Sequence, residues 1–229
     1  MIVTKKQECQ EDLIRRILTL DLEPGAVLDE AVLSESYGLS RTPLREVFQK
    51  LAGDGYISQT EIRRTKVSSM DIESMRNFFQ VAPMVYSAVS RLAAESSTPR
   101  QIAHLRDHQV KFRRAAETAN TSDMALTNHE LHAAIGLMAG NVFLLPSLNR
   151  LLIDHTRMSQ IFFRPRNSKE RLTVWQACDQ HDTLIDAFEV GDSEKAVQIT
   201  LEHWDLSRDS IEKYSRPDPV PVEISLEYS

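Results

Sequence analysis

The fourteen residues from Gly38 to Leu51 constrain the fold of this chain more than any other stretch. Their order, GLSRTPLREVFQKL, predicts the turn and second helix of a helix-turn-helix. Gly38 provides the backbone freedom that the turn needs, and Ser40 or Thr42 can cap the start of the helix. Pro43 fits the first helical turn, where a missing N–H costs nothing. We therefore predict a well-defined helix that begins near residue 41.

This helix has two distinct faces. Its apolar residues recur at the spacing of one helical side, namely Leu44, Val47, Phe48 and Leu51. The other side carries the polar residues that we expect to contact DNA: Ser40, Arg41, Thr42, Arg45, Glu46 and Gln49. An arginine near a helix start can bind a guanine edge or a phosphate in the major groove. A solvated amphipathic helix has the same pattern, and this stretch alone leaves that alternative open.

The neighbouring segments complete a winged helix-turn-helix in residues 1–69. Leu13 to Leu18 predict a first helix that ends near Asp21, because Pro24 and Gly25 follow it. A short second helix is marked by Leu28, Leu33 and Tyr37, with Asp29 as its cap, and the third helix ends at 53–55. Residues 56–58 and 65–68 then predict a two-stranded wing with its tip at 61–64, which adds three basic residues to the expected DNA contacts: Arg63, Arg64 and Lys66.

The charge distribution supports this interpretation. The whole chain has a formal net charge of −6. Between residues 40 and 66, however, six basic residues stand against three acidic ones, a local excess of positive charge. Because nucleic-acid binding depends on where the positive charge lies, the acidic total does not exclude DNA as a partner.

The remaining composition indicates an intracellular protein. At 229 residues the chain suits one or two domains. Cys9 and Cys178 are far apart and form no Cys-x-x-Cys motif, so we expect neither a disulfide framework nor a cysteine zinc site. The N-terminus runs directly into charged residues, and no apolar run is long enough to span a bilayer. We therefore expect a soluble cytoplasmic protein without a membrane partner.

Residues 70–215 predict a second, all-α domain, an antiparallel bundle. Its six helices are expected at 71–96, 99–119, 122–139, 141–163, 168–190 and 193–214. Pro83 should kink or split the first of them. The tail at 216–229, rich in proline, cannot continue the last helix and is expected to be loosely held.

Histidines on the predicted inward faces of the bundle form a candidate metal site. Asn128 and His132 lie four residues apart on one helix, while His181 and His203 lie on two others. Three imidazoles and one oxygen suit Zn²⁺ or another borderline divalent ion. Hydrogen-bonded core histidines would give the same pattern, so the spacing leaves both interpretations open. The other histidines, His104, His108, His129 and His155, have no spacing that distinguishes them.

Taken together, these residues resemble the GntR-type transcription regulators, and within them the FadR-like branch with an FCD effector domain. In the first domain the resemblance rests on Pro24-Gly25, Leu28, Leu33, the run from Gly38 to Glu46, Leu51 and Gly55. In the second it rests on Asn128-x-x-x-His132, Ala139-Gly140-Asn141, His181-x-x-Leu184-Ile185-x-Ala187, Gly191-Asp192, Ala196 and His203. The six helices are similar to the shorter, VanR-like variant. The resemblance implies a homodimer, an organic-acid effector, and a metal bound by Asn128, His132, His181 and His203.

Three positions depart from the family pattern. Asn128 stands where an aspartate is usual, so this ligand brings no charge. The wing has Arg63-Arg64 in place of an Arg-Gly pair. Ala82 and Tyr86 align with an arginine and a glutamate of the first bundle helix, so Tyr86 is expected to line an effector pocket of altered chemistry. Without a metal, Arg106 and Arg157 would be the cationic side chains that bind the acid.

The sequence therefore favours a ligand-responsive transcriptional repressor of a catabolic operon, with no enzymatic activity. It is expected to bind double-stranded operator DNA as a homodimer and to be released by a small carboxylate at a zinc-containing pocket. The alternative is a metal-dependent hydrolase with an accessory DNA-binding domain, because three histidines can also activate water.

Overall fold

The computed structural model of the protein describes residues 4–59 and 64–215, with side chains up to residue 206. Within the described residues, the N-terminal part contains three helices and three short strands. In chain order these are α1 (Lys5–Leu18), β1 (Val27–Leu28), α2 (Glu30–Tyr37), α3 (Arg41–Asp54), β2 (Ile57–Gln59) and β3 (Thr65–Val67). The expected wing tip at 61–64 lies outside the described residues except for Arg64, and so does the tail at 216–229.

Local signals position the helix-turn-helix. The Asp29 carboxylate accepts hydrogen bonds from the backbone of α2, as predicted, and Gly38 ends that helix in the left-handed conformation at φ 58°. Ser40 occupies the N-cap position of α3, but its side chain makes no capping hydrogen bond, and Thr42 lies inside the helix. The predicted helix start is therefore right, although neither hydroxyl caps it. The apolar face of α3 is buried in the N-terminal core.

A third strand was not predicted. The sheet has the order β1-β3-β2 and both pairings are antiparallel. The left-handed turn at Gly25, with φ 80°, brings the chain beside β3, where the Gly25 N–H donates to the carbonyl of Val67. Leu28 consequently lies in β1 and pairs with Thr65, so its assignment to the second helix was wrong.

The second part of the described chain contains six further helices. They are α4 (Ile72–Ser96), α5 (Pro99–Glu117), α6 (Thr121–Ala139), α7 (Leu144–Phe162), α8 (Ser168–Glu189) and α9 (Ser193–Ser215). Each begins and ends within three residues of the prediction. Pro83 lies inside α4, which is continuous, so it does not split the helix. None of the helices in the described ranges is long and apolar enough to cross a membrane.

The helical part buries two apolar clusters with a layer of polar rings between them. The larger cluster includes Tyr86 and the smaller includes Phe112. The Phe112 ring lies 5.0 Å from the His181 ring, and the Tyr86 ring lies 5.5 Å from the His132 ring, measured between centroids. The His132 and His181 rings, with centroids 5.5 Å apart, meet between the two clusters, and the part-buried His203 ring lies 4.7 Å from His181.

Candidate DNA interface and metal centre

The recognition helix α3 exposes its entire predicted DNA-binding face. Ser40, Arg41, Thr42, Arg45, Glu46 and Gln49 are all exposed. The Nε of Arg45 donates to Glu30 at 3.3 Å, which leaves its two terminal nitrogens for a guanine edge. Glu46 pairs with Lys6 on α1 at 2.5 Å. These surface pairs orient the side chains while adding little stability.

Two of the three predicted basic wing residues lie within the described part of the chain. Arg64 is exposed directly before β3, and Lys66 is half-buried on β3 opposite Ser58 of β2. Arg63, the third predicted wing contact, lies outside the described residues. The contribution of the wing to DNA binding stays a prediction.

The three histidines of the candidate metal site converge. His132 of α6, His181 of α8 and His203 of α9 each offer a ring nitrogen, and these nitrogens lie within 4.8 Å of one another. The ring centroids of His181 and His203 are 4.7 Å apart. Asn128 lies one turn before His132 and, like it, is buried.

Several donor atoms in this cluster are left without partners. Among the described residues, Asn128 Oδ1, His132 Nε2 and His181 Nε2 are buried and accept or donate no hydrogen bond. Buried polar atoms of this kind cost free energy unless something binds them. A bound cation would satisfy all three at once.

Two glutamines orient the histidine rings. The Gln109 amide donates to the carbonyl of Cys178 at 2.7 Å, so its oxygen faces His181 Nδ1 at 3.3 Å and must accept from it. This assigns the proton of His181 to Nδ1 and leaves Nε2 with a lone pair. His203 Nδ1 likewise meets Gln180 Oε1 at 3.0 Å. Partners of this type fix the tautomer of metal-binding histidines in other proteins.

Burial also keeps the imidazoles neutral. Desolvation, reinforced by neighbouring imidazoles, lowers the pKa values of His132 and His181 well below the ordinary 6.5. Desolvation alone lowers the pKa of His203 to about 4. Neutral imidazole is the form that binds a metal, so the cluster is in its ligating state at neutral pH.

These residues fit a borderline divalent cation. A tetrahedral zinc ion with Zn–N bonds of about 2.0–2.1 Å places its ligand nitrogens about 3.4 Å apart. The nitrogens of the cluster are within 4.8 Å, so side-chain shifts of about 1 Å would bring them to that spacing. Three neutral nitrogens and an amide oxygen suit zinc better than the all-oxygen sets of calcium or magnesium.

His155 also belongs to this cluster, although its spacing in the sequence did not distinguish it from the other histidines. Its ring lies 5.1 Å from the His132 ring, and its Nδ1 is 2.8 Å from the Tyr86 hydroxyl. Burial, together with the charge of neighbouring imidazoles, lowers its pKa to about 3. Trp204 packs on both Tyr86 and His155, with centroids 5.1 and 5.2 Å away. Tyr86, expected to line an effector pocket, therefore lies at the histidine cluster.

The two candidate effector arginines lie elsewhere. Arg106 pairs with Asp186 and Glu189 on α8, where all three side chains are well exposed. Arg157 is completely buried and donates to the backbone carbonyls of Ser68 and Ser69. Both arginines therefore already have protein partners at their terminal nitrogens, although the buried Arg157 Nε has none among the described residues.

A small cavity adjoins the histidines. Its volume is about 10 Å³, enough for about one water molecule. Its walls are formed by residues of α6, α7, α8 and α9, among them Asn128, His155, Ser159 and His203. Arg106 and Arg157 are not among them.

Comparison with known protein families gives two matches. The FCD domain matches residues 79–206, more than half of the chain. The family of "Bacterial regulatory proteins, gntR family" matches residues 5–67. The first range contains all four candidate metal-site residues, and the second contains the recognition helix.

Individual proteins are similar over most of their length. The HTH-type transcriptional repressor RspR of Escherichia coli strain K12 is 24% identical over 205 residues, which cover 90% of this chain and 88% of that protein. A fatty acid metabolism regulator protein of Serratia proteamaculans is 28% identical over 72% of this chain and 76% of its own length. The solved structure of E. coli McbR/YncC superposes with a TM-score of 0.78 at 19% identity, over 94% of this chain and all of that one. At this identity the structural likeness shows the fold alone.

Proposed function

Since the chain belongs to the GntR family of bacterial regulatory proteins and carries an FCD domain, we propose that it is a metal-dependent, ligand-responsive repressor. It is a transcription regulator and not an enzyme. In this proposal it acts in the cytoplasm on a catabolic operon. It binds a two-fold operator as a homodimer and is released when a small organic acid enters the histidine pocket.

The exposed face of α3 supports the DNA-binding part of the proposal. Arg45 keeps two terminal nitrogens for a base edge, while Arg41 one turn earlier can bind a phosphate. One recognition helix reads only a few base pairs. Two copies related by a two-fold axis double that contact and require half-sites about one helical turn apart.

The convergence of His132, His181 and His203 around unpartnered buried atoms is the observation that carries the effector part. We propose that these three histidines and Asn128 hold the ion, most favourably zinc. When bound, the ion would supply positive charge, and a carboxylate could bind it in place of the neutral Asn128 amide or as a fifth ligand. Gln109 and Gln180 hold the rings in their ligating orientation.

The cavity beside the cluster limits the effector. At about 10 Å³ it admits no organic acid without expansion. The acid must therefore be small, and its entry must displace a wall residue such as Phe162 or Leu206. Because the closed and expanded pockets differ in their contacts, binding of the acid would favour one conformation of the bundle over another.

Metal content tests this proposal most directly. Protein purified without chelators should contain about one ion per chain, and His181→Ala should lose it. The matched control is His104→Ala, an exposed histidine of α5 outside the cluster, which should keep the ion. Absence of metal from the wild type, with unchanged stability in His181→Ala, would identify these as ordinary core histidines.

DNA binding tests the other half. A duplex selected by the wild-type protein from a random pool should show two-fold symmetry, and a panel of small carboxylates should weaken its binding to the zinc-loaded protein. Selection of an asymmetric site, or no response to any acid in the panel, would contradict the homodimer or the effector class, respectively.

A further inference from the structure

The central part of α7 is buried on every side. All nine residues from 152 to 160 are buried, although a surface helix would expose one face. Six of them are polar or charged: Asp154, His155, Thr156, Arg157, Ser159 and Gln160. Because buried polar groups need partners, each of these side chains indicates a specific contact of the helix.

One side of α7 holds the DNA-binding part of the chain. Arg157 Nη1 donates to the carbonyl of Ser68 at 2.7 Å, and Nη2 donates to that of Ser69 at 3.4 Å. Both serines lie between the last strand of the wing and α4. Gln160 donates to the carbonyl of Leu18, the last residue of α1, at 3.4 Å.

A buried carboxylate extends this contact to the recognition helix. Asp154 pairs with Arg157 and also with Arg150, whose Nη1 lies 2.8 Å away. Arg150 lies against Gly55, the C-cap residue that follows α3, so closely that a Cβ on that glycine would be 2.5 Å from Arg150 Cδ. Asp154 therefore links the two arginines that contact the wing and the end of the recognition helix.

The opposite side of α7 faces the histidine cluster. His155, the next residue after Asp154, is 2.8 Å from the Tyr86 hydroxyl and packs on His132. Thr156 is 2.7 Å from His129 Nδ1 on α6. Ser159 lines the cavity beside Asn128 and His203. A shift of the histidine layer would therefore move the same turn of helix that carries Arg157.

The contacts of Arg157 cannot be exchanged gradually for solvent. Its side chain is completely buried, and loss of the carbonyl partners would leave a desolvated guanidinium group with unsatisfied hydrogen-bond donors. Such contacts are either made or replaced by another discrete set, as in interfaces that switch between two arrangements. Because of Arg157, α7 and the junction between the wing and α4, at Ser68 and Ser69, must either move together or separate completely.

We propose that Arg157 is the positioning residue that couples the metal centre to the DNA-binding surface. It holds the junction at Ser68 and Ser69 to the turn of α7 that carries His155. Occupancy of the histidine site then selects the position of the wing and of the end of α3. This inference rests on the proposed function of the histidine site.

The experiment compares operator affinity with and without zinc. The probe is the duplex that the wild-type protein selects, and the measured quantity is the ratio of its Kd for chelator-treated protein to its Kd for zinc-loaded protein. Couplings between sites change affinity typically by about 5–150-fold, and we expect the wild-type ratio to lie in this range. Arg157→Gln should bind zinc with unchanged stoichiometry and bind the duplex, but its ratio should fall to about one.

Two further variants make the result decisive. Arg157→Gln leaves the Asp154 carboxylate buried with one partner fewer, so the double variant Asp154→Asn, Arg157→Gln removes both charges and should fold with the same uncoupled ratio. The control is Arg91→Gln, which removes an arginine of α4 that pairs with Glu194 of α9. This variant should keep the wild-type ratio. A purely structural role for Arg157 would lower stability without changing the ratio.

The outcomes separate the two proposals. If the wild type responds to zinc and the folded Arg157 variants respond equally, the coupling role is wrong while the proposed function stands. If the wild type binds zinc but its ratio is one, this inference fails while the proposed function stands. If the wild type binds no zinc, the proposed function of the histidine site fails and this inference fails with it.

Discussion

Acidification of the metal-free protein should destabilise its helical part steeply. His132, His155, His181 and His203 are held neutral in the folded state, with pKa values lowered by burial. In the unfolded chain their pKa values return to about 6.5. Below that pH the unfolded state binds more protons than the folded state, so the free energy of unfolding must fall as the pH falls.

The magnitude follows from the number of buried rings. Well below pH 6.5, each unit of pH lowers the free energy of unfolding by about 1.4 kcal/mol for every histidine that the fold keeps neutral. The first unit, from pH 6.5 to 5.5, costs about 1.0 kcal/mol per ring because the unfolded rings are already half protonated at pH 6.5. Four such histidines would therefore remove about 4 kcal/mol over this unit, a large part of the 5–15 kcal/mol that is usual for a domain. The loss from His203 should level off near its folded pKa of about 4.

Urea unfolding at a series of pH values measures this effect. Both tryptophans of the chain, Trp175 and Trp204, lie in α8 and α9, so their fluorescence reports on the helical part alone. His155→Gln should reduce the pH slope, since it removes one of these four rings; His129 and His108, whose pKa values burial also lowers, contribute to the slope that remains. His104→Gln, at an exposed position on α5, should change the slope less, because its ring contacts His108 on the same helix.

If the pH dependence of the free energy of unfolding between pH 6.5 and 4.5 corresponds to uptake of less than one proton on unfolding, the reasoning is refuted. It would mean that the imidazoles are hydrated or charged in the folded protein. Zinc at 100 times its Kd should raise the free energy of unfolding at pH 7.5 by about 2.7 kcal/mol, because it binds the folded state alone.

The remaining substitutions test other parts of the structure. Arg45→Ala should cost about 1–3 kcal/mol of discrimination at one base pair, whereas Arg41→Ala should weaken all sequences evenly and flatten the salt dependence. Measuring the binding of each variant to single-base variants of the selected duplex checks this. Specific binding by the double variant Arg41→Ala, Arg45→Ala would exclude α3 as the helix that recognises the operator sequence. Asn128→Asp should tighten zinc binding by adding a charge, as measured against a competing chelator, and unchanged affinity would remove residue 128 from the ligand set. Gly136→Ala places a Cβ 2.4 Å from a leucine methyl of α7 and should destabilise by about 1–3 kcal/mol. Gly53→Ala, where a Cβ meets nothing within 4 Å, should not destabilise in the same thermal assay.

The elements that the sequence predicted well depend on local signals. Proline and glycine at helix ends, and apolar residues at helical spacing, place the six bundle helices and the recognition helix within a few residues. The strand β1 was missed because two residues carry no periodicity. It forms only because Gly25 turns the chain onto β3, more than thirty residues later in sequence.

The parts of the site that could not be predicted depend on distant contacts. His155 joins the cluster because Tyr86, 69 residues away in sequence, packs and hydrogen-bonds against it. Arg157 was selected from the sequence for its charge alone. The structure buries that charge against backbone carbonyls of the wing junction, which leave no pattern in the amino-acid sequence. Spacing along one helix identified ligand candidates, whereas the partners that orient them emerged only from tertiary packing.

The burial of residues 152–160 has a consequence for the mutational tolerance of α7. Along α5 the buried residues Ile102, Leu105, Phe112 and Ala115 alternate with exposed ones, so harmful and harmless substitutions should recur with the helical period. The buried segment of α7 has no exposed side on which variation can accumulate. A survey of all single substitutions should therefore show nine consecutive intolerant positions in this helix. Apolar replacements at its polar positions should be as harmful as polar replacements at its apolar positions.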